Sequence, residues 1–235
     1  MQALKVIVEG SFNSFRYPAE MTYQRSYYIP PKTTIIGHLG SALGLSEKDL
    51  IPLYETIKVG VFLESFEGKT LDLWRITKLK SPENETAVVV RELLYRPKYR
   101  FYYIPQPDCT ITLETMKMAF FNPVFAPCLG RSDELCTYKE IKFVEIEEAP
   151  KNALYRHTIL PFPYTEDPEA VLDLSQRDNL LKNMPPEISL LPVGFTIEKG
   201  VRKAKWCEST IIYGIGIKLS QERGVKDEDV VFFSF

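Results

Sequence analysis

Three features of the sequence predict an α+β fold. The first 150 residues run strand, helix, strands, helix, strand. A basic, aromatic-rich hairpin interrupts that order, and a proline-rich passage after Pro150 leads into strands. The expected architecture is a ferredoxin-like (RRM-like) domain over residues 1–150 with a β-hairpin insertion. A smaller, mostly-β domain over 151–235 is expected to pack on it.

Each element has its own signal. LKVIVEG near the N-terminus is a short apolar run of strand type. Residues 11–32 hold Pro18, Pro30 and Pro31 without periodicity, so they read as a long ordered loop or irregular strand. Thr33 or Thr34 is expected to cap a helix running to about Leu43, with Gly44 as its stop. Gly37, Gly40 and Gly44 are expected on the face that approaches the sheet. Ser46 caps SEKDLIPLYE, whose Glu47 and Asp49 suit a first turn. IKVGVFLESF alternates as a strand. LDLWRITKLK and TAVVVRELLYR form a hairpin around SPENE, and RFYYIP continues as a strand. Thr110 or Thr112 opens a second helix that Pro123 ends. LGRSDELC is a loop, and YKEIKFVEIEEA alternates strongly. Beyond Pro150, SLLPVGFTIEKG, STIIYGIGIKLS and DVVFFSF read as short strands.

Composition narrows the function. No apolar run approaches the roughly 20 residues of a membrane helix, and MQALKVIVEGSF lacks a signal-peptide cleavage pattern. A cytoplasmic protein with no membrane partner is expected. Cys109, Cys128, Cys136 and Cys207 form no CxxC pair, and the histidines are His38 and His157 alone. Reduced, mostly buried thiols with no metal or other cofactor are expected. The formal charge of −2 is unevenly spread: +3 over residues 1–132, −6 over 133–187 and +1 over the rest. One polyanion-binding face on the N-terminal part fits that distribution.

Enzyme signatures are sparse. Gly68-Lys69-Thr70 ends like a phosphate-binding loop, but Leu63 stands where that loop needs glycine. Gly214-Ile215-Gly216 lies in a strand pattern and reads as a close backbone approach. Glu147-Glu148 reads as a solvated face. His38 lies one turn into the first helix, in reach of Tyr27, Tyr28 and Lys32. Tyr28 and His38 are therefore the candidates for acid–base work without metal. The competing reading of His38 is a helix-face histidine touching backbone or phosphate. His157 reads as structural.

The nucleic-acid signal is denser. Residues 71–105 carry net +3, with Arg75, Lys78, Lys80 and Arg91 among the cations and Trp74, Tyr95, Tyr99, Phe101, Tyr102 and Tyr103 interleaved. Cations neutralise phosphates, and aromatic faces stack unpaired bases. The bland alternative is a β-ribbon with snorkelling basic stems. In SYYIPPKTTIIGHLGSALGLS, Pro30-Pro31 hold the chain extended before a helix start that favours phosphate. Arg16, Arg25 and Lys32 add charge. Of Tyr27 and Tyr28, one is expected to pack inward while the other faces a base.

The run FRYP…YQRSYYIPPKTTIIGHLGSALGLS resembles the N-terminal signature of the fifth CRISPR-associated protein family. These are RAMP-superfamily subunits of type I Cascade complexes. The signature falls on Arg16, Pro31-Lys32-Thr33-Thr34, Gly37-His38-Leu39 and Leu43-Gly44. RELLYRPKYRFYY, LGRSDEL and IIYGIGIKL…VVFF resemble later segments in the same order. The resemblance implies a non-repeating cap in antiviral defence, monomeric when isolated. Such a subunit grips the 5′ handle of the CRISPR RNA and contacts the repeating backbone subunit and the large subunit. Residues 71–90 would be its thumb, reaching over the guide. Arg131 and Ser132, in the Leu-Gly-Arg-Ser loop, would add a phosphate contact. One branch of the family cleaves precursor RNA with Tyr, Lys and His, and no Lys-His pair exists in this chain.

Three readings follow. The first is a non-catalytic RNA-binding subunit of a CRISPR effector. The second is a metal-independent endoribonuclease that processes precursor RNA. The third is a protein-interaction scaffold centred on the acidic 133–187 segment.

Overall fold

The computed structural model describes residues 1–18, 20, 22–77, 86–175, 181, 184–220 and 224–235. In chain order the main elements are β1 (Gln2–Gly10), α1 (Lys32–Leu43), β2 (Ile57–Ser65), β3 (Gly68–Thr77), β4 (Thr86–Tyr95), β5 (Lys98–Pro105), α2 (Leu113–Phe121), β6 (Cys136–Glu145), β7 (Glu187–Glu198) and β8 (Val201–Ile212). The fold is mixed α+β, mostly strand.

The central sheet has the order β2–β5–β1–β6, every pair antiparallel. Period-two alternation assigns its two faces. Leu4, Val6 and Val8 of β1 and Tyr99, Phe101 and Tyr103 of β5 join the apolar cluster that holds Ile35, Leu39, Met116 and Phe120 of the helices. Ala3, Tyr102 and Ile104 point the other way, to Ile146, Val230 and Phe232. RFYYIP is buried on both faces, which is why it reads as a continuous apolar run. Each such Val, Leu or Phe contributes roughly 1.5–3 kcal/mol by leaving water.

The second face is closed by the chain's own C-terminal part. Phe232 stacks on Tyr102 with ring centroids 4.1 Å apart. A Cβ at Gly60 would lie 2.2 Å from the Phe232 ring, so glycine there lets that strand lie flat on the sheet. Beneath it, Lys5 Nζ donates to Asp227 Oδ2 at 2.8 Å and Tyr102 donates to the same oxygen at 2.9 Å. A buried lysine needs such a partner.

The two arms of the expected hairpin are present, and its SPENE turn lies outside the described residues. β3 and β4 pair without interruption from Gly68↔Tyr95 to Thr77↔Thr86. Its base is stitched to the loop before α1, by Phe12–Asn13 running antiparallel to β4 and Tyr23–Gln24 running parallel to it. Lys78 and Lys80 lie outside the described residues.

Several local expectations need correction. α1 begins at Lys32, with Pro31 at the cap position and no side-chain cap, so neither Thr33 nor Thr34 caps it. Proline already holds the extended entry a cap would fix. Gly44 ends the helix in the left-handed region, as expected, at φ 71°. SEKDLIPLYE is two short helices, Glu47–Leu50 and Leu53–Thr56, separated at Pro52. Thr112, not Thr110, caps α2. The last third is dominated by one long hairpin of β7 and β8, turning at Lys199-Gly200, both at positive φ. Its β8 strand was hidden in the sequence because Arg202, Lys203 and Lys205 mask the alternation. Ile159, Leu191, Ile211 and Tyr213 from this region join the same large cluster as β1 and α1.

Candidate nucleic-acid interface

The site is built where three segments meet at the start of α1. The loop Leu129–Leu135 is held against the segment after β1 by a buried carboxylate. Glu134 accepts hydrogen bonds from the Ser14 amide at 2.7 Å, the Ser14 hydroxyl at 2.6 Å and the Arg131 amide at 3.1 Å. Asn13 Nδ2 donates to Leu129 O at 2.7 Å. Burial pushes the Glu134 carboxyl above its ordinary value, opposed by these donors and by Arg91. Gly130, at φ 103°, sits in the closest contact: a Cβ would lie 2.3 Å from Ser14 O and 2.6 Å from Glu134 Oε2.

This joint brings four arginines around one cavity of about 230 Å³. Arg16, Arg25, Arg91 and Arg131 line it together with Thr34 and Gly130. Arg91 comes from β4 opposite Asp72 of β3, and its Nη2 donates to Asp72 at 2.9 Å. Its Nη1 lies 3.6 Å from Glu134. Arg91 is 7% exposed, and its Nε and Nη1 have no hydrogen-bond partner among the described residues. Trp74 takes the Arg91 guanidinium at 4.8 Å and that of Arg131 at 4.0 Å from its ring centroid. Arg25 pairs with Glu20 and lies 4.7 Å from the Tyr17 ring centroid. Arg16 donates to Glu20 O at 2.7 Å. Arginine presents its donors as a rigid fork that matches phosphate. Carboxylates hold the forks of Arg25, Arg91 and Arg131, and the Glu20 carbonyl holds that of Arg16.

The comparisons with known proteins bear on this geometry. A family model described as CRISPR-associated protein (Cas_Cas5) matches residues 3–202. The chain belongs to this Cas5 family. No curated protein matches the chain by sequence. Among solved structures, a chain of a CRISPR RNA-guided surveillance complex is similar over 93% of this chain and 91% of its own, at 12% identity and TM-score 0.55. A CRISPR protein from Archaeoglobus fulgidus is similar over 99% and 98%, at 14% identity and TM-score 0.54. A chain of a type III-B Cmr-beta complex bound to cognate target RNA is similar over 98% of each, at 12% identity and TM-score 0.50.

In this Cas5 chain the other sequence-predicted residues fall in several places. Thr33 is buried, while Thr34 lines the arginine cavity. Lys32 is also buried, and desolvation pulls its ammonium down to about 8. Tyr27 packs inward and stacks on Tyr17 at 3.7 Å. Tyr28 is half-buried against Phe66 and Tyr213, with Lys69 Nζ 5.8 Å from its ring centroid. Ser132 is exposed at the loop tip, and Arg75 is exposed on the hairpin face away from Trp74.

His38 is placed in the core, 5% exposed, and not on an open helix face. Its Nδ1 lies 3.3 Å from the Tyr103 hydroxyl and its Nε2 3.3 Å from that of Tyr138. The ring packs on Phe101 and Phe120. Burial alone lowers its pKa to about 4, which keeps it neutral at pH 7. Among the described residues His38 thus contacts Tyr103, Cys136, Tyr138, Phe101 and Phe120, and no hydrogen bond or ring contact joins it to Tyr27, Tyr28 or Lys32, the neighbours expected from the sequence.

Sequence reasoning missed Glu134, and it read Trp74 as a stacking aromatic but not as the platform for Arg91 and Arg131. That role had a signal in the hairpin register, which pairs Asp72 with Arg91 and turns Trp74 to their side. Glu134 had none, because an acid in a polar loop reads as solvated.

Proposed function

We propose that this chain is a non-catalytic RNA-binding subunit of a CRISPR effector complex and grips the 5′ handle of the CRISPR RNA. One observation carries the reading: four arginines from separate segments converge beside the start of α1 around one cavity. A single-stranded RNA backbone supplies the phosphates such a cradle needs. The sheet order β2–β5–β1–β6 with two helices on one face supports a ferredoxin-like module. The β3–β4 hairpin then serves as the thumb. RNA-recognition sheets of that kind stack bases on their open face, but here Phe232 occupies that face. RNA is therefore taken at the α1 edge, between thumb and loop. The similarity to chains of RNA-guided and target-RNA-bound complexes supports assembly with backbone and large subunits.

A processing role would rest on Tyr28 and Lys69, and no histidine stands with them: His38 is in the core and His157 packs on Phe62. The test is a labelled RNA carrying the repeat-derived 5′ handle, incubated with the purified chain in EDTA and split between native and denaturing gels. Binding without cleavage is expected. Cleavage at one position would transfer the chain to the processing class. No binding, with or without the backbone subunit, would leave the scaffold reading standing.

A further inference from the structure

A second cavity, of about 320 Å³, adjoins the arginine cradle and shares Thr34 and Gly130 with it. That volume is at the small end of ligand pockets. Its floor is the outer face of α1, where Thr34, Gly37 and Ser41 follow at one-turn spacing. Cys128 and Gly130 form one wall, and Phe195 of β7 forms the other. The three α1 glycines do not share a role. A Cβ at Gly40 would meet Leu50 at 2.4 Å and one at Gly44 would meet Val124 at 2.8 Å, whereas one at Gly37 meets nothing within 4 Å. Gly37 is thus not a packing glycine: mid-helix glycine costs roughly 1 kcal/mol against alanine, and here no close neighbour requires it. The hydroxyls of Thr33, Thr34 and Ser41 make no hydrogen bond among the described residues. The adjoining cradle carries Arg91, more than nine-tenths buried and paired with Asp72, Asp133 and Glu134, beside Arg16, Arg25 and Arg131.

We propose that the groove over Gly37 receives one unstacked nucleobase of the bound RNA, with its neighbouring phosphate in the arginine cradle, and that Gly37 determines specificity by leaving room for that base. The inference rests on the RNA-binding reading. Phe195 supplies a stacking face, itself held by Tyr54 edge-on and by the Arg202 guanidinium at 4.5 Å. Thr33, Thr34 and Ser41 supply hydroxyls that either donate or accept, matching the edge of a base.

The test is a cycle on the full chain with the repeat-derived RNA, each handle position in turn replaced by an abasic nucleotide. One position is expected at which base removal weakens wild-type binding about tenfold or more, the range of one base–aromatic contact. Gly37→Val should lose a similar factor on intact RNA and nothing further on the RNA abasic at that position. Gly37→Ala, which gains helix propensity and meets no neighbour, controls for folding: it should melt no lower than wild type and show a smaller loss of the same kind. If wild type binds and Arg131→Ala weakens it, yet Gly37→Val binds every RNA like wild type, the base pocket is wrong and the cradle survives. If Gly37→Val weakens intact and all abasic RNAs alike, the groove holds no base. If wild type binds none of the RNAs, both readings fall.

Discussion

Replacing Arg131 by alanine tests the cradle directly. Its side chain is 34% exposed, its closest acid is Asp133 at 3.6 Å, and its guanidinium lies on Trp74. None of these contacts holds the loop, which hangs on Glu134 and Gly130. The stability loss should stay near the ~0.5–1 kcal/mol of a solvent-facing cation–π contact. Binding should respond differently. Each phosphate neutralised on a single strand adds about 0.7 to the slope of log K against log salt. If each of the four arginines takes one phosphate, the slope is about −2.8, and affinity falls about 50-fold between 50 and 200 mM salt. Arg131→Ala should reduce the slope to about −2.1 and that fall to about 20-fold. Fluorescence anisotropy with labelled handle RNA across that range reads both quantities. Arg100→Ala is the control, because Arg100 lies beside Glu64 and Asp229, apart from the cavity. Equal slopes for Arg131→Ala and Arg100→Ala would refute the phosphate assignment.

Two further outcomes are expected of the scaffold beneath the site. Gly130→Ala should destabilise the chain by roughly 1–3 kcal/mol in denaturant titration, since its φ of 103° and the Ser14 oxygen both oppose a side chain; an unchanged midpoint would mean the loop is not clamped as described. His38, with a folded-state pKa of about 4 against about 6.5 unfolded, contributes stability that is full above pH 6.5 and lost as pH falls toward 4. That loss should be about 1.3 kcal/mol between pH 7.5 and 5.5, present in wild type and absent in His38→Gln; equal pH dependence in the two would place His38 outside the core.

What was legible in the sequence depended on how local its cause is. The strand at RFYYIP and the pairing of the hairpin arms follow from patterns within ten residues, and both are found. The start of α1 was misread because two threonines look like caps, while Pro31 makes a cap unnecessary. His38 was misread for a longer-range reason. Its position on α1 is visible in the sequence, but the closure of that face by Phe120 from α2 and Tyr138 from β6 is not. Arg16, Arg25, Arg91 and Arg131 were singled out one by one as basic residues. Their meeting is set by Glu134 and Gly130, a buried acid and a strained glycine that no charge count marks as structural.

If the proposed RNA-binding reading holds, the covered sheet explains why its binding groups sit where they do. A four-stranded sheet with helices on one side has a second apolar face that must be buried or used. In this chain Phe232 and Val230 bury it, and the Lys5–Asp227–Tyr102 network beneath them is satisfied only while that cover stays in place. Breaking a buried ion pair costs roughly 3–5 kcal/mol, so lifting the cover to admit a base is a poor exchange for one stacking contact worth about 1–3 kcal/mol. On the proposed RNA-binding reading, recognition falls to what surrounds the sheet: the α1 start, the Leu129–Leu135 loop and the hairpin base. These carry the four arginines and the open groove, and they are tied together by polar contacts that do not involve the sheet face.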